Sequence, residues 1–144
     1  MTQGASLHRR VVIDGDPAPV RGMRSMLTSF LKDRSIDAKA SRAIVLAFSE
    51  ALENAVEHGL LGAKGEVSLR LRYTRTFILV SLRDSGSDRS PIGDPVSQDE
   101  DAERGRGFEL MHKLMDRVKV RSCSGGGTRV SMLRYLSRDG QPDE

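Results

Sequence analysis

Glu50 and Asn54 stand four residues apart in the run FSEALENAVEHG, residues 48–59. On a helix that spacing sets them one turn apart, and at 100° per residue Glu57 falls within roughly 60° of both. A carboxylate and an amide so placed can point into a common site, the carboxylate accepting a proton and the amide oxygen binding a hard cation such as Mg²⁺. The same stripe is also what any solvated helix face presents, and polar residues opposite a core are usually only wet. Asp84 is a second candidate. It follows an apolar run in the same alternate phase as Ile78, Val80 and Leu82, with Ser85 and Gly86 after it. Burying a carboxylate without partners costs several kcal/mol, so Asp84 either caps the next turn or waits for donors that a ligand brings. Arg104-Gly105-Arg106-Gly107 is the third, immediately before Phe108, Leu110, Met111, Leu114, Met115 and Val118 at helical spacing. Glycines opening a helix let backbone N–H groups approach an anion, and the helix N-terminus adds partial positive charge. Phosphate is the natural guest, and the two arginines strengthen that reading.

The elements that must position these residues follow from periodicity. Residues 7–13 read as a short edge strand, with Leu7, Val11 and Ile13 in one phase. Asp16 is the expected N-cap, and Pro17 the first residue, of a helix to about residue 34, with Val20, Met23, Met26 or Leu27, Phe30 and Leu31 facing the core. Asp37 caps a second, longer helix that carries Glu50 and Asn54, ended by Gly59 or Gly62. Residues 66–74 alternate cleanly, Val67, Leu69, Leu71 and Tyr73 against Ser68, Arg70 and Arg72, a half-buried strand with a basic outer face. Residues 77–83 read as a central strand antiparallel to it. Residues 84–103 match neither period and hold seven acids against one arginine, which reads as an acidic lid or a merely solvated loop. After the helix from residue 108, residues 119–123 and 129–136 read as strands joined by a hairpin at 124–128, with a polar tail from 138.

Composition bounds the function. With 144 residues, 38% hydrophobic and 30% charged, the chain fits one globular domain over residues 1–144 with frayed ends at 1–6 and 138–144. Net charge is +3 and the 18 arginines are scattered among acids, so no nucleic-acid footprint is expected. Aromatics amount to 4% with no tryptophan, which leaves few platforms for stacking bases. No apolar run approaches a membrane span and the start lacks the core of a secretory signal. A lone cysteine has no disulfide partner or metal-ligand spacing. The expectation is a cytoplasmic protein bound to neither membrane nor nucleic acid. There is no GxxxxGK[ST], no GxGxxG after a strand and no GxSxG.

In their order, the remaining features resemble the GHKL ATPase and kinase superfamily, within it the bacterial anti-sigma factor serine kinases, over roughly residues 20–136. Glu50-Ala51-Leu52-Glu53-Asn54-Ala55-Val56-Glu57-His58-Gly59 is similar to the N box, ExxxNAxxHG. Asp84-Ser85-Gly86 looks like the start of the DxGxG box, Arg104-Gly105-Arg106-Gly107-Phe108 like the second glycine box, and Gly127-Thr128-Arg129-Val130 like the last. Asp88 stands where the DxGxG box has its second glycine, a departure from the motif at the start of the lid. The resemblance implies a Bergerat ATP-binding fold: an α+β two-layer sandwich with a mixed, mostly antiparallel sheet, about three helices on one face and an acidic lid loop. It implies ATP and Mg²⁺ as cofactors, with Asn54 binding the cation. Asp84 would accept from the adenine amino group, Gly86 would let backbone approach the base, and Thr128 would support the adenine side. Gly105 and Gly107 would cradle the phosphates with positive charge from Arg104 or Arg106, and Glu50 would act as general base toward a protein serine. The implied activity is that of an anti-sigma factor and ATP-dependent serine-protein kinase, homodimeric, which sequesters a sigma factor and phosphorylates a STAS-domain antagonist. The competing readings are a catalytically silent sequestering module and a switch-type kinase that acts on a STAS protein without binding sigma.

Overall fold

The computed structural model describes residues 4–60, 64–86 and 107–136. In chain order these form β1 (Ala5–Ile13), α1 (Ala18–Asp33), α2 (Ala38–Asn54) continued by a π-helical turn (Ala55–Gly59), β2 (Gly65–Tyr73) and β3 (Phe77–Asp84). Helix α3 (107–114), β4 (Arg117–Ser122) and β5 (Thr128–Tyr135) complete them. The strands make one sheet in the order β1-β2-β3-β5-β4. It is an α+β fold, with the helices against one face of the sheet.

Every pairing among the described strands is antiparallel, where a mixed sheet was expected. The crossover through α3 leads from β3 to β4, but β4 turns back by a hairpin and it is β5 that pairs with β3. The two ends of the crossover therefore never lie side by side. Residues Ala5 and Ser6, expected to fray, pair with Tyr73 and Arg72.

Local chemistry sets the helix ends. Helix α1 starts one residue later than expected: Pro17 is the N-cap, and Asp16 Oδ1 accepts from Ala18 N at 3.0 Å as the turn before it. Asp37 caps α2 as its sequence position predicts, accepting from Ala40 N at 2.9 Å. Between the helices Ser35 takes φ 53°, and Ile36 N returns to Leu31 O at 3.1 Å, a left-handed helix stop that glycine usually supplies.

The core lies between the helices and one sheet face. Ile44, Phe48 and Leu52 of α2 are fully buried with Leu69, Leu71, Ile78, Val80 and Leu82 of the central strands, and Met111 of α3 joins them. The alternation puts β2 and β3 side chains on opposite faces, so the partners of these core residues point away from every helix. No described helix is long and apolar enough to cross a membrane.

Candidate functional site

Helix α2 carries Glu50 and Asn54 as its last exposed turn, and the chain then tightens into the π-helical turn Ala55–Gly59, closed by Leu60 N donating to Ala55 O at 2.9 Å. The wider turn re-aims the residues that follow Asn54, a change of register often found at functional sites. Glu50 and Asn54 are half-buried, whereas Glu57 is exposed. The polar stripe is thus not uniform: two of its members face protein and the third faces solvent.

What they face is the start of α3. Gly107, the first described residue of α3, is buried, and a methyl group added there would sit 3.2 Å from Asn54 Nδ2 and 3.3 Å from Glu50 Oε2. A side chain there would require Glu50 and Asn54 to give way by a few tenths of an ångström. Asn54 Nδ2 is buried and has no hydrogen-bond partner among the described residues, a state that costs roughly 1–3 kcal/mol when nothing fills it.

Asp84 anchors a second cluster. It is 3% exposed at the end of β3, and its Oδ1 accepts from Gly86 N at 2.9 Å. Gly59, the end of the π-helical turn, lies directly against the Asp84 carboxylate, where a Cβ would overlap it. On the other side Gly127, at φ 82°, packs on the Asp84 carbonyl, and Gly86, at φ 75°, packs on Gly127. A Cβ at Gly86 would sit 2.8 Å from Gly127 N, and both torsions lie where side chains are disfavoured. Thr128 follows as the first residue of β5, half-buried. Ser85 completes the loop: its Oγ accepts from Glu66 N at 2.9 Å.

The structure therefore brings Glu50, Asn54 and Gly107 together at one end, and Asp84, Gly86 and the Gly127-Thr128 corner at the other, joined by the π-helical turn. Arg104, Gly105 and Arg106 lie outside the described residues, as does the acidic stretch expected to be a lid, Asp88 included. Two contributors escape a reading by sequence alone. Gly59 is legible as a helix end but not as the backing of Asp84. Gly127 lies in a glycine run that gives no sign of which member touches β3.

Comparison with known proteins agrees with this architecture. The model of the histidine kinase-like ATPase domain matches residues 13–134. The serine-protein kinase RsbW of Bacillus velezensis is 37% identical over 102 residues, 64% of this chain and 62% of that protein. An anti-sigma F factor of Thermoanaerobacter sp. is 26% identical over 121 residues, 81% of this chain and 85% of its own length. The chain thus spans just under two thirds of the length of that RsbW. The crystal structure of the RsbU and RsbW domains of Rv1364c from Mycobacterium tuberculosis superposes with a TM-score of 0.63 at 23% identity, covering 93% of this chain and 32% of that one, which is a likeness of fold. With the domain model spanning nearly the whole sheet and its helices, the chain belongs to the histidine kinase-like ATPase domain family.

Proposed function

We propose that this chain is an ATP-dependent serine-protein kinase and an anti-sigma factor, which holds a sigma factor inactive and phosphorylates a serine of a STAS-domain antagonist. One observation carries the reading: Glu50 and the amide of Asn54, its Nδ2 unmet among the described residues, come together against Gly107 of α3. A solvated helix face has no reason to bury an amide without a partner. The names of the relatives, a serine-protein kinase and an anti-sigma factor, support it.

Asn54 fits Mg²⁺. Rotating its amide exchanges Oδ1 and Nδ2, so the atom that now lacks a partner can be an oxygen for a cation or a donor for a phosphate. Bound there, Mg²⁺ would supply charge neutralisation on the phosphates. Asp84 is to accept from the adenine amino group while Gly86 and Thr128 border the base. Gly107, with Arg104, Gly105 and Arg106 before it, is to receive the phosphates. Glu50 takes the proton from the substrate serine as its Oγ attacks the γ-phosphorus; the bond to the bridging oxygen breaks and ADP leaves. Phosphoryl transfer depends mostly on positioning and charge, so one base, one amide and donors at a helix start are sufficient equipment. In this reading the protein works in the cytoplasm as a homodimer.

The test is incubation with labelled ATP, Mg²⁺ and STAS-domain proteins of the same organism, together with capture of a sigma factor. Serine labelling and sigma capture are expected. Capture without labelling, with ATP binding intact, points to a silent sequestering module; labelling without capture points to a switch kinase.

A further inference from the structure

On the described part of the sheet face turned away from the helices, the charged residues are cationic with one exception. Strand register lays the face out in rows: Arg10, Ser68, Arg83, Arg129 and Arg121 stand side by side across all five strands. The next row is His8, Arg70, Ser81, Ser131 and Lys119, and the third is Ser6, Arg72, Leu79, Leu133 and Arg117. These rows hold eight arginines and lysines and no acid; Glu66, beyond the first row, is the one carboxylate on the described part of the face. Arginines that are scattered in sequence are collected here by the two-residue period of the strands.

None of the eight makes an ion pair or a side-chain hydrogen bond among the described residues, and Arg72 alone has a ring contact, 5.9 Å from Phe77. Arg83, Arg129 and Arg121 are direct cross-strand neighbours on three adjacent strands. Like charges in register destabilise a sheet, so the row opposes folding and no described side chain offsets it.

We infer that this face is the docking surface for a partner protein that presents carboxylates around an apolar centre. Charge complementarity sets the sign of the occupant. Its kind follows from the rest of the face: the half-buried Leu79 and Leu133 adjoin the arginines, with Phe77 and the exposed Tyr135 beyond them, and arginine mixed with apolar and aromatic groups is the composition of protein interfaces. A nucleic acid strand would find no phenylalanine, tyrosine or tryptophan within the three basic rows on which to stack its bases, and His8 as the one small ring. A second copy of the same face would set cations against cations. Five strands at ~4.8 Å spacing and about eight residues of rise give roughly 500 Å², a large share of the ~800 Å² per partner of a standard interface. The rows surround a depression of about 570 Å³ lined by His8, Arg70, Arg72, Leu79, Ser81 and Ser131 among others. The inference does not depend on phosphoryl transfer.

Fluorescence anisotropy tests it with three probes: an amphipathic helical peptide of about 20 residues with glutamates flanking a leucine stripe, its glutamine counterpart, and a random duplex DNA of about 30 base pairs. The glutamate peptide should bind, more weakly as salt rises, and the glutamine one should not. The variant R83Q/R121Q/R129Q should lose at least about tenfold in affinity while its denaturation midpoint stays level or rises, because the repulsive row is gone. Should that variant fail to fold, R70Q/K119Q must show the same loss of affinity. No binding of the glutamate peptide, unchanged affinity in the variants, or tighter binding of the DNA at equal salt would overturn the proposal. A lower midpoint in the triple variant would make that row structural and leave the decision to R70Q/K119Q, whose unchanged affinity would overturn the proposal.

Discussion

Around Asp84, backbone packs on backbone: Gly59 backs the carboxylate, Gly127 covers the carbonyl, and Gly86 donates to Oδ1 at 2.9 Å. Around Glu50 and Asn54, at the other end of the π-helical turn, side chains face a helix start with Asn54 Nδ2 unmet. The first region is completed by the fold itself, and the second, among the described residues, leaves an amide for the proposed ligand to meet. A nucleotide site can use both kinds of construction. A rigid end selects the base by shape and hydrogen bonding, whereas the phosphates and their cation supply the partners that the other end lacks.

Substitutions should separate the two ends. The largest effect is expected at Gly127. A Cβ there overlaps the Asp84 carbonyl, sits 2.8 Å from Gly86 N and forces a side chain to φ 82°, so Gly127→Ala should cost about 3 kcal/mol or more of stability in a denaturant titration. Gly59→Ala pushes only on a carboxylate that has some freedom to turn, and should cost ~2 kcal/mol together with a loss of ATP affinity. Asn54→Ala belongs to the other end. It removes a buried unmet group, so the apo protein should unfold at the same denaturant concentration or slightly higher, while ATP affinity in the presence of Mg²⁺ falls about tenfold. If Asn54→Ala instead destabilised the apo protein as much as Gly59→Ala, the contrast between a finished and an unfinished end would be lost.

Much of this was legible in the sequence because it is local. Strands β2 and β3 alternate strictly, and the acid in the core phase at Asp84 is buried as its phase requires. Helix α2 carries its apolar arc and its Asp37 cap in plain view. The π-helical turn was not legible, since Ala55–Gly59 is a good helical sequence and the extra residue per turn is imposed by packing. Nor was the contact of Gly127 with Asp84, which joins residues 43 apart in number through the pairing of β3 with β5. The arginines teach the same lesson on a larger scale. Arg83, Arg121 and Arg129 look dispersed among acids until the register puts them in one row.

The central claim is that Glu50 handles the proton and takes no part in holding the nucleotide. It is tested most directly on Glu50→Gln, by measuring ATP affinity by calorimetry and serine phosphorylation of the STAS protein on the same preparation. The account predicts an affinity within about threefold of wild type and a transfer rate lower by roughly 10²–10⁴. Transfer that persists at the wild-type rate with the nucleotide bound would contradict it.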